Sequence, residues 1–134
     1  MKHSVKFRLT LVTLAAILAV FSPITKAATI TVNSTNDPAG FNSAITIGTL
    51  GATVTLRDAM NAAVNTGGAN TITFAPSLAG STIGLVQGTA PSVPAAFGLS
   101  ITIQGLNGNR GITIARSSTN QFRLFLVYGS LTLR

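Results

Sequence analysis

From residue 28 onward the chain is written almost entirely in short runs where apolar residues alternate with Thr, Ser or other small residues. "ATITVN" (28–33) puts Ile30 and Val32 on one side and Thr29 and Thr31 on the other. The same period of two places Ile72 and Phe74 together in "NTITFA", Ile101 and Ile103 in "SITIQG", and Ile112 and Ile114 in "GITIAR". In "FRLFLV" it sets Phe122, Leu124 and Leu126 against Phe125 and Val127, and in "SLTLR" it joins Leu131 and Leu133. "STIGLV" (81–86) carries the pattern more weakly. Period-two alternation is the mark of a strand with one buried face. Gly, Asn and Ser separate the runs, so each strand ends after about four to six residues. "STNDPAGFN" (34–42) is turn chemistry, with Asn36 and Asp37 before Pro38 and then Gly40. Onward to Gly51 the sequence predicts loop with a short strand at "AITIG", and Pro91 and Pro94 mark a further loop.

The spacing of the later strands carries more information than any one of them. "S-[IL]-T-[IL]" occurs at residues 100–103 and recurs at 130–133, after three strands have passed. A period of about 20–50 residues points to a repeating architecture. Three short strands per repeat predict a parallel β-helix. A β-sandwich and part of a propeller are the competing architectures.

One stretch breaks the pattern. In "TLRDAMNAAVNTGG" (55–68), Leu56, Ala59, Met60, Ala63 and Val64 recur at helical spacing and make one apolar stripe. Thr55 is placed as N-cap, with Asp58 three residues later as the returning partner of a capping box near the positive end of the helix dipole. Gly67 and Gly68 stop the helix. The predicted span is about 56–66. A helix this short needs an apolar surface to lie on. Terminal caps are what repeat folds require, so this helix is expected to cover the N-terminal opening of the solenoid.

Residues 1–27 are read as an export signal. Lys2, Lys6 and Arg8 precede an uncharged, mostly apolar run, Leu9–Phe21, and "SPITKA" follows, with cleavage after Ala27. The run is short of the roughly 20 residues that span a bilayer. Cleavage removes four of the nine basic residues and lowers the net charge from +7 to +3. The remaining Arg57, Arg110, Arg116, Arg123 and Arg134 are dispersed and form no basic patch, so nucleic acid is not a predicted partner. With no Cys in an exported chain, stability has to come from apolar packing and backbone pairing. The domain reading is 1–27 signal peptide, 28–68 strand, loop and capping helix, and 69–134 the first β-helix turns, truncated at the C-terminus.

Thr55-Leu56-Arg57-Asp58-Ala59, with Met60, Ala62, Ala63 and Asn65 and then "TITF", resembles the CSLREA-type N-terminal region of exported bacterial proteins with right-handed parallel β-helix repeats. "LSITIQGLNGNRGITIARSSTNQFRLFLVYGSLTLR" is similar to the strand order that follows in those proteins, so the resemblance spans about residues 28–134. It implies an all-β fold, a right-handed parallel β-helix with one short amphipathic capping helix. It further implies an autotransporter passenger, polymorphic outer-membrane or adhesin-like surface protein. Two positions depart from the pattern. Val54 stands where the family has Cys, which removes any disulfide there, and Asp58 stands for Glu. The resemblance also implies that Arg57 bonds loop carbonyls beneath the cap. Solvated surface is the other reading of that residue.

The residue inventory argues against catalysis. The mature chain has no His, Lys, Cys or Glu, so Ser–His and Cys–His nucleophile arrangements are impossible. Its acids are Asp37, read as a turn residue, and Asp58, read as a helix cap. No catalytic, cofactor or metal residues are assigned, and a lone Asp37 falls short of the roughly 6–8 oxygens a calcium ion takes. The expectation is a secreted or outer-membrane-surface protein, non-enzymatic and structural or adhesive. Its expected partner is a host-surface or matrix ligand met through loops of a longer protein. "GSLTLR" ends in a strand, which predicts strand pairing at an exposed edge. The alternative is the N-terminal part of a β-helical polysaccharide lyase or glycoside hydrolase whose active site lies beyond residue 134.

Overall fold

A computed structural model of the chain describes residues 27–134 except residue 109. The signal-peptide reading of residues 1–27 therefore lies, but for Ala27, outside the described residues. Along the chain come β1 (Ala28–Val32), a 3₁₀ turn (Ile47–Thr49), helix α1 (Leu56–Thr66) and β2 (Ala69–Phe74). A second 3₁₀ turn (Pro76–Leu78) leads to β3 (Thr82–Leu85), β4 (Ser92–Val93) and β5 (Ser100–Ile103). The order closes with β6 (Thr113–Arg116), β7 (Leu126–Val127) and β8 (Ser130–Leu133).

All the pairings are parallel. One sheet has four strands in the order β1-β2-β5-β8, a second pairs β3 with β6, and a third pairs β4 with β7. The register is one to one: Ile30 lies beside Ile72, Ile72 beside Ile103, and Ile103 beside Leu133. The two copies of "S-[IL]-T-[IL]" are neighbours, with Ser100 opposite Ser130 and Thr102 opposite Thr132. Alternation behaves as the physics of a half-buried strand requires. Ile30 and Val32 are buried while Thr29 and Thr31 are not.

The expected all-β right-handed parallel β-helix is corrected by this arrangement. The short strands are divided among separate small sheets, and a full helix is part of the core, so the fold is mixed α/β. The sheets are small, and two of the three consist of only two strands. The helix, for its part, supplies Leu56, Ala59, Met60, Ala62 and Ala63 to the core alongside Ile72, Ile83, Leu85, Val93 and Ile101.

Three local expectations are also corrected. "AITIG" is not a strand: Thr46 and Thr49 bond each other and close a 3₁₀ turn at Ile47–Thr49. "FRLFLV" contributes only Leu126–Val127 to a strand, and the Pro91–Pro94 loop contains β4. Both short strands come from one pairing, in which Ser92 lies opposite Leu126 and Val93 opposite Val127.

Helix α1 occupies the predicted span, and its ends are built as the sequence indicates. Thr55 Oγ1 accepts the Asp58 backbone N–H at 3.1 Å, and Asp58 Oδ2 accepts the Thr55 N–H at 3.3 Å. Gly67 closes the helix with φ +72, a conformation that side chains other than Gly resist. Buried Asn70 at the start of β2 donates from Nδ2 to the carbonyls of Ala63 and Gly67, which ties the end of the helix to the strand that follows it. At the other end Asn33 fastens the helix entry. Its side chain accepts from Val54 N–H at 2.8 Å and donates to Ala52 O at 2.8 Å, and its backbone N–H donates to Val54 O.

Candidate functional site

The second residue of α1 is Arg57, and side chains in a first helical turn lean back toward the helix N-terminus. That direction sends the Arg57 guanidinium out of the apolar stripe and into the loop formed by residues 34–42. The turn chemistry of Asn36-Asp37-Pro38 brings the Asp37 carboxylate to meet it. Nε donates to Oδ1 at 2.6 Å and Nη2 donates to Oδ2 at 3.0 Å, a two-pronged pair with both side chains almost wholly buried, at 2% and 1% exposure. The third guanidinium nitrogen, Nη1, donates to Thr89 O at 2.8 Å. The Phe41 ring lies against the guanidinium, its centroid 4.9 Å from Cζ.

Asp37 is as fully engaged as its partner. Oδ2 also accepts the backbone N–H groups of Val86 at 2.9 Å and Gln87 at 3.0 Å. Gln87 Nε2 donates to the Asp37 carbonyl at 2.9 Å. Burial by itself raises the carboxyl's pKa. The Arg57 hydrogen bond, the two amides and the Arg57 charge outweigh it and hold Asp37 below its ordinary value. The carboxylate is therefore ionised at neutral pH, with its lone pairs directed at donors of the protein itself.

Asp37 and Arg57 thus form one buried cluster. The turn reading of Asp37 is incomplete, and of the two readings of Arg57 the solvated one is wrong. Arg57 does bond a loop carbonyl, that of Thr89, but its main partner is Asp37. Nothing local in the sequence marks the pair. Its members stand 20 residues apart and the amides that complete it stand 49 and 50 residues from Asp37. The available signal is arithmetic: a chain with so few charges has little reason to keep an acid in a loop unless a base uses it.

Asn61 Nδ2 and Asn70 Oδ1 are buried without a hydrogen-bond partner, and two other charged residues are engaged in local structure. Asp58 accepts the Thr55 hydroxyl at 2.8 Å in addition to its capping contact. Exposed Arg116 curls onto its own loop, donating from Nη1 to the carbonyls of Ser118 and Asn120 at 2.9 Å each. Among the described residues no three His, Cys, Asp or Glu side chains gather as a metal site would need. A cavity of about 260 Å³ opens among Phe74, Ile103, Ile114, Leu124, Phe125 and Leu133. Its walls are mostly apolar, Arg134 being the one charged residue among them, and neither Asp37 nor Asp58 lines it. No helix among the described residues is long and apolar enough to cross a membrane.

No protein-family model matches the chain, and no curated protein or solved structure is significantly similar to it. The residues themselves therefore carry the functional reading.

Proposed function

We propose that the chain is an exported, non-enzymatic protein that acts as a structural or adhesive element outside the cell or at the outer-membrane surface. The observation that carries the reading is the engagement of both carboxylates. Asp37 is neutralised and saturated by Arg57, Val86 and Gln87, and Asp58 is held by the helix cap. A general base has to reach a substrate proton through an open lone pair, and a nucleophile needs such a base beside it. Asp37 offers none, Asp58 is tied through Oδ2 to the helix cap, and the chain beyond residue 27 has no His, Lys, Cys or Glu to replace them. The export half of the proposal rests on the charged, apolar and small-residue order of residues 1–27.

The test is fractionation of bacteria that express the full chain with a C-terminal epitope, followed by N-terminal sequencing of the product. The expected product lies outside the cytoplasm and begins at Ala28. A cytoplasmic product that still carries residues 1–27 would overturn the export reading.

A further inference from the structure

The four-stranded sheet presents a face that the other two sheets lack. Its outward positions carry Thr29, Thr71, Thr102 and Thr132, one from each strand and each opposite the next in the register. Two residues along the strands stands a second column, Thr31 opposite Thr73, whose hydroxyls bond each other at 3.2 Å. On the other side Ser100 lies opposite Ser130. Thr31, Ser130 and Thr132 on the edge strands are exposed, and the inner-strand members are half-buried by their neighbours. The equivalent outward positions of the β3–β6 sheet are Thr82 and Thr113, then Gly84 and Ala115, so the grid is not a general habit of the chain.

Parallel strands set the repeats of this grid at about 4.7–4.9 Å across strands and about 6.6 Å between alternate residues along them. The first lies close to the oxygen repeat along the a axis of hexagonal ice, and the second approaches its c-axis repeat. The chemistry selects among extended ligands. The four-strand row Thr29, Thr71, Thr102 and Thr132 carries no carboxylate for a mineral surface, no cation for a polyanion, and no aromatic ring to stack on a sugar, while the Thr31–Thr73 column continues through Gln104 to Arg134 at the edge. The threonines carry hydroxyls that donate and accept, and methyl groups around which water is held in restricted orientations.

We infer that this threonine face binds the surface of ice. The inference rests on the reading of the chain as a non-catalytic protein that works by presenting a surface, and it names that surface.

The experiment grows polycrystalline ice slowly from a dilute solution of the purified full chain and measures how the protein divides between ice and liquid. Incorporation into the ice is expected. Thr102→Tyr, at the centre of the grid, is expected to reduce incorporation to the level of a non-binding control protein. Thr113→Tyr on β6 leaves it unchanged. Circular dichroism reports whether each variant keeps its strands. If Thr102→Tyr misfolds, Thr71→Lys takes its place, since a solvated charge in the grid breaks the lattice match without filling any buried space. Exclusion of the parent chain from ice overturns the inference, as does full incorporation of a folded variant. An exported chain that ice excludes refutes this inference alone. A chain retained in the cytoplasm refutes the export reading, and its affinity for ice remains measurable.

Discussion

Replacing Asp37 with Ala tests the buried cluster most directly. The change leaves the Arg57 guanidinium at 2% exposure with no counter-charge, holding only the Thr89 carbonyl and the Phe41 ring. Removing one member of a buried ion pair costs about 3–5 kcal/mol, because the other charge remains uncompensated. Two further donors, the amides of Val86 and Gln87, lose their acceptor. Each costs about 1–3 kcal/mol where water cannot reach it. Val86 is 44% exposed, so water replaces part of that loss and the ion-pair contribution dominates. Small domains have about 5–15 kcal/mol in total. The variant should therefore unfold on the order of 15–30 °C lower than the parent. Thermal and urea unfolding followed by circular dichroism measure this. Asp37→Asn refines the result. With its oxygen in the Oδ2 position it keeps the contacts to Nη2, Val86 and Gln87, but it sets an NH₂ group against Arg57 Nε–H, now 2.6 Å from Oδ1. It should be destabilised despite its matched shape. A loss below about 1 kcal/mol for Asp37→Ala, the size of an exposed pair, would refute the claim that the cluster holds the fold together.

The same pair sets the acid limit of the protein. Asp37 has its pKa lowered on folding, so its contribution is complete above about pH 4, the unfolded value, and is lost as pH falls through the lower folded value. A pH series of unfolding midpoints should fall below that point for the parent and stay flatter for Asp37→Asn. Thr55→Ala removes one side of the capping box and should cost about 1 kcal/mol in the same assay. Gly129→Ala should be far more damaging than Gly51→Ala, because a Cβ at position 129 runs into the Pro94 carbonyl whereas one at position 51 meets nothing. Comparable expression yields and midpoints for the two Ala variants would contradict that close approach.

What can be read in advance is what neighbouring residues decide among themselves. The helix from Leu56 to Thr66 announces itself through a stripe, a cap and a Gly stop that all lie between Thr55 and Gly67. β1, β2, β5 and β8 are legible because strict alternation leaves one choice of buried face. "AITIG" alternates equally well, yet the Thr46–Thr49 contact gives its backbone a tighter local partner than any strand offers. "FRLFLV" is apolar on both faces, so alternation does not say that only its last two residues pair. The fold class escapes the sequence reading for a similar reason. A repeat period fixes which strands are neighbours, but not how strands are shared among sheets or how much of the core a helix supplies. Hardest of all is Asp37, whose partners come from separate stretches of chain.

That separation gives the ion pair an order in time. Arg57 meets Asp37 across 20 residues, but Thr89 stands 32 residues beyond Arg57, and the amides of Val86 and Gln87 stand 49 and 50 residues beyond Asp37. Closing loops of these lengths costs entropy before the contacts repay it. Until residue 89 is present, the two charges have no complete socket and stay hydrated, because a partly satisfied charge is too costly to bury. The stretch from β1 through α1 thus carries its own solubilising charges while the chain emerges. Those charges are withdrawn from water only when the segment that completes their burial arrives.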